Sequence, residues 1–157
     1  MKIVFLDFDG PILPAQSHET RRSLDRKAWP DSVEALNRIT ETTGAVIVIS
    51  SNWRAQGLRK IMMLLASWGV TGKVAGMTPI LFHKIDGRWN GAPRGEEIAG
   101  YLRGKKNVES FVILDDDRDM GELESHLIQT PFDAGLTEKD ADLAIDMLTR
   151  PREVRLA

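Results

Sequence analysis

The sequence contains no cysteine, which excludes disulfide frameworks, zinc–thiolate sites and thiol nucleophiles. Histidine is scarce. His18, His83 and His126 stand far apart and outside any HExxH pattern, which argues against a histidine-built metal site and leaves oxygen ligands for any cation. An excess of charge of one sign is missing too. With 21 Lys+Arg against 23 Asp+Glu the formal charge is −2, so the strongly basic surface of a non-specific duplex binder is absent, though a local basic groove stays open. No apolar run approaches the ~18 residues of a membrane-spanning helix. The opening MKIVFLDFDG meets its first acid at Asp7, too early for a secretory leader. Together these absences predict a soluble, cytoplasmic protein with no membrane attachment. What is plentiful is apolar surface. It makes up 42% of 157 residues, enough for a real core, and the length predicts one domain over 1–157.

Four short apolar runs dominate: Lys2–Leu6, Ala45–Ile49, Phe111–Leu114 and, more weakly, Leu127–Thr130. Each is β-branched or aromatic-rich and unalternating, as in strands buried on both faces of a parallel sheet. Lys73–Ala75 is a weaker fifth. Helical patterns lie between them. Asp31 with Glu34 reads as a capping box ahead of Val33, Leu36 and Ile39, and Gly44 stops that helix. Asn52 opens a second helix carrying Leu58, Ile61, Met62, Leu65 and Trp68 and ending at Gly69. Pro93 begins a third through Ile98, Tyr101 and Leu102, and Thr137 with Asp140 caps a fourth through Leu143, Ile145 and Leu148. Strands alternating with helices predict right-handed βαβ units and a three-layer α/β, Rossmann-like fold on a mostly parallel sheet. Two stretches break the rhythm. Pro11–Pro30 is polar and charged; Met77–Gly95 carries Asp86-Gly87 and Asn90-Gly91 turn signals that suit a small hairpin. The charged tail Arg150–Ala157 is expected to fray.

Ligands of open α/β sheets bind at the carboxyl ends of the strands. Acids stand at two of these ends (Asp7-Phe8-Asp9-Gly10 and Asp115-Asp116-Asp117-Arg118-Asp119) and hydroxyls at a third, Ser50-Ser51-Asn52. Carboxylates converging there raise one another's pKa unless a cation sits among them. Mg²⁺, which takes carboxylate and carbonyl oxygens, suits Asp7 with Asp115 and Asp116. Ser50 and Ser51 can donate to an anionic oxygen beside the start of the Asn52 helix. Arg54, poorly placed for the helix dipole, makes sense facing a bound anion. A phosphoryl site also needs a positive side chain, for which Arg94 and Lys84 are the candidates, Arg94 preferred for its place at a helix start. Asp119 is expected to orient a ligand or cap the next turn.

At these residues the chain resembles the haloacid-dehalogenase-like (HAD) phosphohydrolase superfamily over roughly residues 1–148. Ile3–Gly10 matches its hhhhDxDG motif, Val46–Ser50 its apolar strand ending in Ser or Thr, Val112–Asp116 its strand ending in paired acids, and Arg94 its lone basic residue. The runs SSNWR, RGEEIAGYL and ILDDDRDM look more narrowly like a compact, nearly capless branch found beside RNA-repair modules. The phosphatase part of polynucleotide kinase–phosphatases is broadly similar. The resemblance implies that Asp7 attacks phosphorus to form an aspartyl-phosphate and that Asp9 is the acid and then the base. It also implies that Ser50 and Arg94 (or Lys84) hold the phosphoryl oxygens, and that Mg²⁺ is bound by Asp7, the Asp9 carbonyl and Asp116 or Asp115. Pro11 departs from the Thr or Val that usually follows DxDG. It removes a main-chain N–H beside the acid/base aspartate, which bears on catalytic efficiency more than on the fold.

Neither interval where HAD enzymes insert a cap is long enough to build an independent core, so an open site and a bulky phosphorylated substrate are expected. A nucleic-acid end or a phosphoprotein fits, the former with Arg21, Arg22, Arg26, Lys27 and Trp29 as a groove for backbone and base. The same segment also reads as a solvated helix with Trp29 packed inward. Two alternatives stand beside this phosphomonoesterase: a phosphatase of small molecules such as nucleotides, with the Met77–Gly95 loop as a lid, and a non-enzymatic phosphate-binding or interaction module.

Overall fold

The computed structural model of the protein describes residues 1–19 and 26–150. Arg21 and Arg22 of the expected basic groove, and the tail 151–157, lie outside the described residues.

The apolar runs form the strands of one parallel sheet. β1 (Lys2–Leu6) is central, with β2 (Val46–Ile49) and then β3 (Val74–Met77) on one side. On the other side are β6 (Ser110–Asp115) and β7 (Leu127–Gln129), giving the order β3-β2-β1-β6-β7. The expected mostly parallel three-layer fold is the observed one. Side-chain alternation along the buried strands explains the layers. Val4, Leu6, Ile47, Ile49, Val112 and Leu114 point to one face, where α1 (Pro30–Thr43), α2 (Leu58–Ser67) and α4 (Glu138–Thr149) supply Leu36, Ile39, Ile61, Leu65 and Leu148. Ile3, Phe5, Val48, Phe111 and Ile113 point to the other, covered by Ile98 and Leu102 of α3 (Arg94–Arg103) and by Met120 and Leu123. Both faces being apolar, neither can be left to water at ~1.5–3 kcal/mol per large side chain.

Element ends differ from the sequence reading in instructive ways. α1 starts at Pro30, with Trp29 at the N-cap and no side-chain cap, and Asp31 falls in its first turn. Proline's fixed φ and missing N–H suit the first helical position, and this outweighs the Asp31–Glu34 box. The second helix does not open at Asn52. Residues Asn52–Gln56 form a 3-10 turn, Gly57 (φ 89°) breaks it, and α2 begins at Leu58. The Thr137–Asp140 capping box of α4 is present in both directions. The hairpin exists as β4 (Phe82–Ile85) and β5 (Arg88–Gly91), but it turns on Asp86-Gly87 alone, both residues having positive φ. This is the two-residue turn whose twist matches a hairpin; Asn90-Gly91 lies within β5. Among the described residues no helix is long and apolar enough to cross a membrane.

Candidate active site

The strand order reverses at β1, so the ends of β1 and its neighbours β6 and β2 open onto one crevice. The ladder runs on past the strand ends: the Asp7 N–H donates to the Leu114 carbonyl and the Ser50 N–H to the Leu6 carbonyl, each at 3.0 Å. Asp7 and Asp115 are thereby held on adjacent strands. Phe8, between the two acids, is fully buried in the core and anchors the loop. Gly10 then turns the chain at φ 101°, where a Cβ would stand 2.7 Å from that of Asp116. Only glycine lets the loops approach so closely. The turn is closed by the N–H groups of Ile12 and Leu13 donating to the Phe8 carbonyl, so the donor-less nitrogen of Pro11 fits the loop.

Carboxylate oxygens of Asp7, Asp115 and Asp116 lie within 4.8 Å of one another. Asp7 and Asp115 are buried, at 6% and 1% exposure. Burial pushes the Asp7 carboxyl up to about 6, against the pull of Arg94 and a hydrogen bond from Ser51. Asp115 is pushed up to about 8 by burial and by the Asp7 charge. Burial and the charge of Asp117 raise Asp116 as well. Asp115 Oδ1 accepts the Asp117 N–H at 3.0 Å, whereas Oδ2 is buried without a hydrogen bond. A buried, unbonded carboxylate oxygen facing two more acids is a donor set suited to a hard divalent cation, so these residues fit Mg²⁺.

The Arg94 guanidinium faces the cluster. Arg94 Nε lies 3.4 Å from Asp115 Oδ2, and its Nη2 lies 4.0 Å from Asp7 Oδ1. α3 aims it there. Asp119 caps the helix, taking the Arg94 N–H on Oδ2 (2.9 Å) and the Gly95 N–H on its carbonyl (3.1 Å). A Cβ at Gly95 would meet the Met120 carbonyl at 2.1 Å. The second basic candidate, Lys84, stands exposed on β4.

Ser50 and Ser51 are fully buried. The Ser51 hydroxyl bonds Asp7 and also accepts the Trp53 N–H at 3.3 Å. Ser50 offers its carbonyl to both Arg54 and Arg94, while its hydroxyl is buried without a partner. The serines precede a short 3-10 turn, so the expected helix N-terminus beside them is not there. Arg54 also departs from expectation. It is 3% exposed, paired with Glu97 and donating to the carbonyls of Ser50 and Ser51, with the Asp7 charge also acting on it. Desolvation explains this, because a buried guanidinium needs a carboxylate.

The sequence reading overlooked two residues here. Glu97, itself buried, holds Arg54 and Arg94 on Oε2 and the Leu81 N–H on Oε1 at 3.1 Å. Its i, i+3 spacing from Arg94 was the available signal. Trp53 donates from Nε1 to Asp9 Oδ2 at 2.9 Å, and Arg26 lies 3.6 Å from Asp9 Oδ1. No sequence pattern announces either contact to Asp9.

The raised acids set a pH dependence. A carboxyl whose folded pKa exceeds the ordinary 3.8 binds its proton more tightly in the folded state, so folding gains stability on acidification. In metal-free, chelator-treated buffer, the melting temperature is expected to rise as pH falls from above 8 to below 6, through the values of Asp115 and Asp7. Added Mg²⁺ is expected to flatten that slope, because a bound cation offsets the same repulsion. Thermal melts at several pH values with and without Mg²⁺ read both effects.

No curated protein matches the chain. Among protein families, residues 3–141 match the HAD domain in Swiss Army Knife RNA repair proteins. The chain therefore belongs to that family, and its chemistry is of the HAD phosphohydrolase type or a related one.

Proposed function

We propose that the protein is a Mg²⁺-dependent phosphomonoesterase that works through an aspartyl-phosphate and acts on nucleic-acid ends. The observation that carries the reading is the triad of Asp7, Asp115 and Asp116 within 4.8 Å, with Arg94 beside it. When bound, Mg²⁺ supplies positive charge that lets an anionic phosphate approach the carboxylates. Asp7 attacks phosphorus in line, its new O–P bond forming as the ester P–O bond breaks. Asp9 gives its proton to the leaving oxygen. It then takes one from water as the water oxygen bonds phosphorus and the Asp7 carboxylate departs. Trp53 fixes one oxygen of Asp9, holding that group in place between the two steps. Arg94 offsets the charge that spreads over the phosphoryl oxygens, and Ser51 orients Asp7.

A nucleic-acid end as substrate is supported by the RNA repair proteins in the family's description and by the small size of the insertions. Among the described residues, these are a 3-10 turn at Ala15–Glu19 and a two-stranded hairpin. A site so lightly covered admits a long chain. The test is phosphate release from 3′- and 5′-phosphorylated oligonucleotides and from mononucleotides, with Mg²⁺ or with chelator. Mg²⁺-dependent release that favours oligonucleotides is expected. Preference for mononucleotides would move the reading to small substrates. Binding of phosphate analogues without release from any ester would make the protein a non-enzymatic phosphate-binding module.

A further inference from the structure

The hairpin β4–β5 is the one element among the described strands whose residues are all exposed. Two-stranded hairpins are marginally stable alone, and this one also carries large apolar side chains into water: Phe82 at 59%, Ile85 at 57% and Trp89 at 70% exposure. It is nevertheless anchored. The Ala92 N–H closes its base on the Leu81 carbonyl at 2.9 Å, and His83 Nε2 lies 2.6 Å from Glu96 Oε2 of α3. The Leu81 N–H donates to Glu97, the carboxylate that also holds Arg94. The arm therefore rises from the rim of the acidic site, with Arg94 three residues beyond its end.

Its register sorts the side chains. Opposed residues share a face, so the pairs Phe82–Gly91 and Lys84–Trp89 place Phe82, Lys84 and Trp89 together. His83, which reaches α3, lies on the opposite face. Phe82 and Trp89 are diagonal neighbours, a separation of ~7–8 Å, about twice the ~3.4 Å spacing of stacked bases. With no side chain on Gly91, the Phe82 ring is open on that side. Two exposed rings flanking a lysine match alternating bases and phosphates, the pairing used by single-strand binders. A protein partner would be expected to meet a wider apolar patch than two rings interrupted by a cation.

We propose that the β4–β5 arm is a single-stranded nucleic-acid clamp, on which bases of the substrate strand stack against Trp89 and Phe82 while Lys84 meets a phosphate. This rests on the reading of nucleic-acid ends as substrate and adds the element that grips the strand beyond the reacting phosphate. Stacking is read by fluorescence anisotropy of a labelled, unphosphorylated single-stranded oligonucleotide on the full chain with Mg²⁺. Trp89→Ala and Phe82→Ala are each expected to weaken binding about tenfold, and Trp89→Phe to retain most of it. Hydrolysis of an aryl phosphate, too small to reach the arm, should be unchanged in all three.

Equal affinity of wild type and the Phe82→Ala/Trp89→Ala double variant would overturn the clamp. So would binding of blunt duplex as tight as single strand, or a dimer that Trp89→Ala dissociates, which would give the face to a second copy. Failure of the phosphatase reading looks different: no aryl phosphate hydrolysis by wild type, with oligonucleotide binding still dependent on Trp89.

Discussion

Asp7→Asn is expected to abolish phosphate release, by about ten-thousand-fold or more, while leaving the fold intact. An amide cannot supply the carboxylate oxygen that bonds phosphorus, and loss of a nucleophile costs rates of this order. The same change should raise thermal stability in metal-free buffer above neutral pH. Asp7 is buried beside Asp115, and its charge is one cause of the upward push on that neighbour. Asparagine keeps the shape and removes the repulsion. Steady-state hydrolysis of an aryl phosphate and melts of the chelator-treated protein check the two halves. An inactive but less stable variant would mean that the Asp7 charge supports the loop through Arg94 and Ser51 more than it opposes Asp115.

The second large effect is on stability. Glu97→Ala leaves the buried guanidinium of Arg54 without its carboxylate and strips an acceptor from the Leu81 N–H. Breaking a buried ion pair from one side costs about 3–5 kcal/mol, which at this chain length lowers the melting temperature by roughly 10 °C or more. Glu97→Gln keeps an amide oxygen for one partner and should fall between wild type and Glu97→Ala. Arg94 also pairs with Glu97 at 3.3 Å, so activity at temperatures where Glu97→Gln stays folded should drop through lost positioning. Calorimetric melts of both variants, followed by hydrolysis assays on the folded one, separate the effects.

How much of this was legible varies by element. The strand cores were plain because a strand buried on both faces must be continuously apolar, and KIVFL, AVIVI and FVIL leave little choice. The capping box at Thr137 was legible because both partners lie within one turn. The start of α1 is ambiguous in the sequence because two local signals compete there, and Pro30 decides it. The second helix starts later than Asn52 suggests, because the break at Gly57 precedes a pattern whose apolar spacing begins only at Leu58. Asp7, Asp115 and Asp116 could be grouped from the rule that strand ends share an edge. Arg54 could not be placed, because an arginine after a strand reads the same whether it meets a ligand or a buried glutamate 43 residues away.

The chain by itself determined the order of buried strands, the helices between them, and which acids and hydroxyls stand where strands end, since these follow from side-chain periodicity and local turn chemistry. Only the tertiary structure decided how the charges are paired: Arg94 toward Asp7 and Asp115, Arg54 inward onto Glu97, Asp9 onto Trp53, and the aromatic arm left in solvent. The reason is physical. Apolar burial is a property each residue carries in its own sequence context, whereas a charge is stabilised by whichever opposite group folding brings within a few ångströms, and that partner can come from anywhere along the chain.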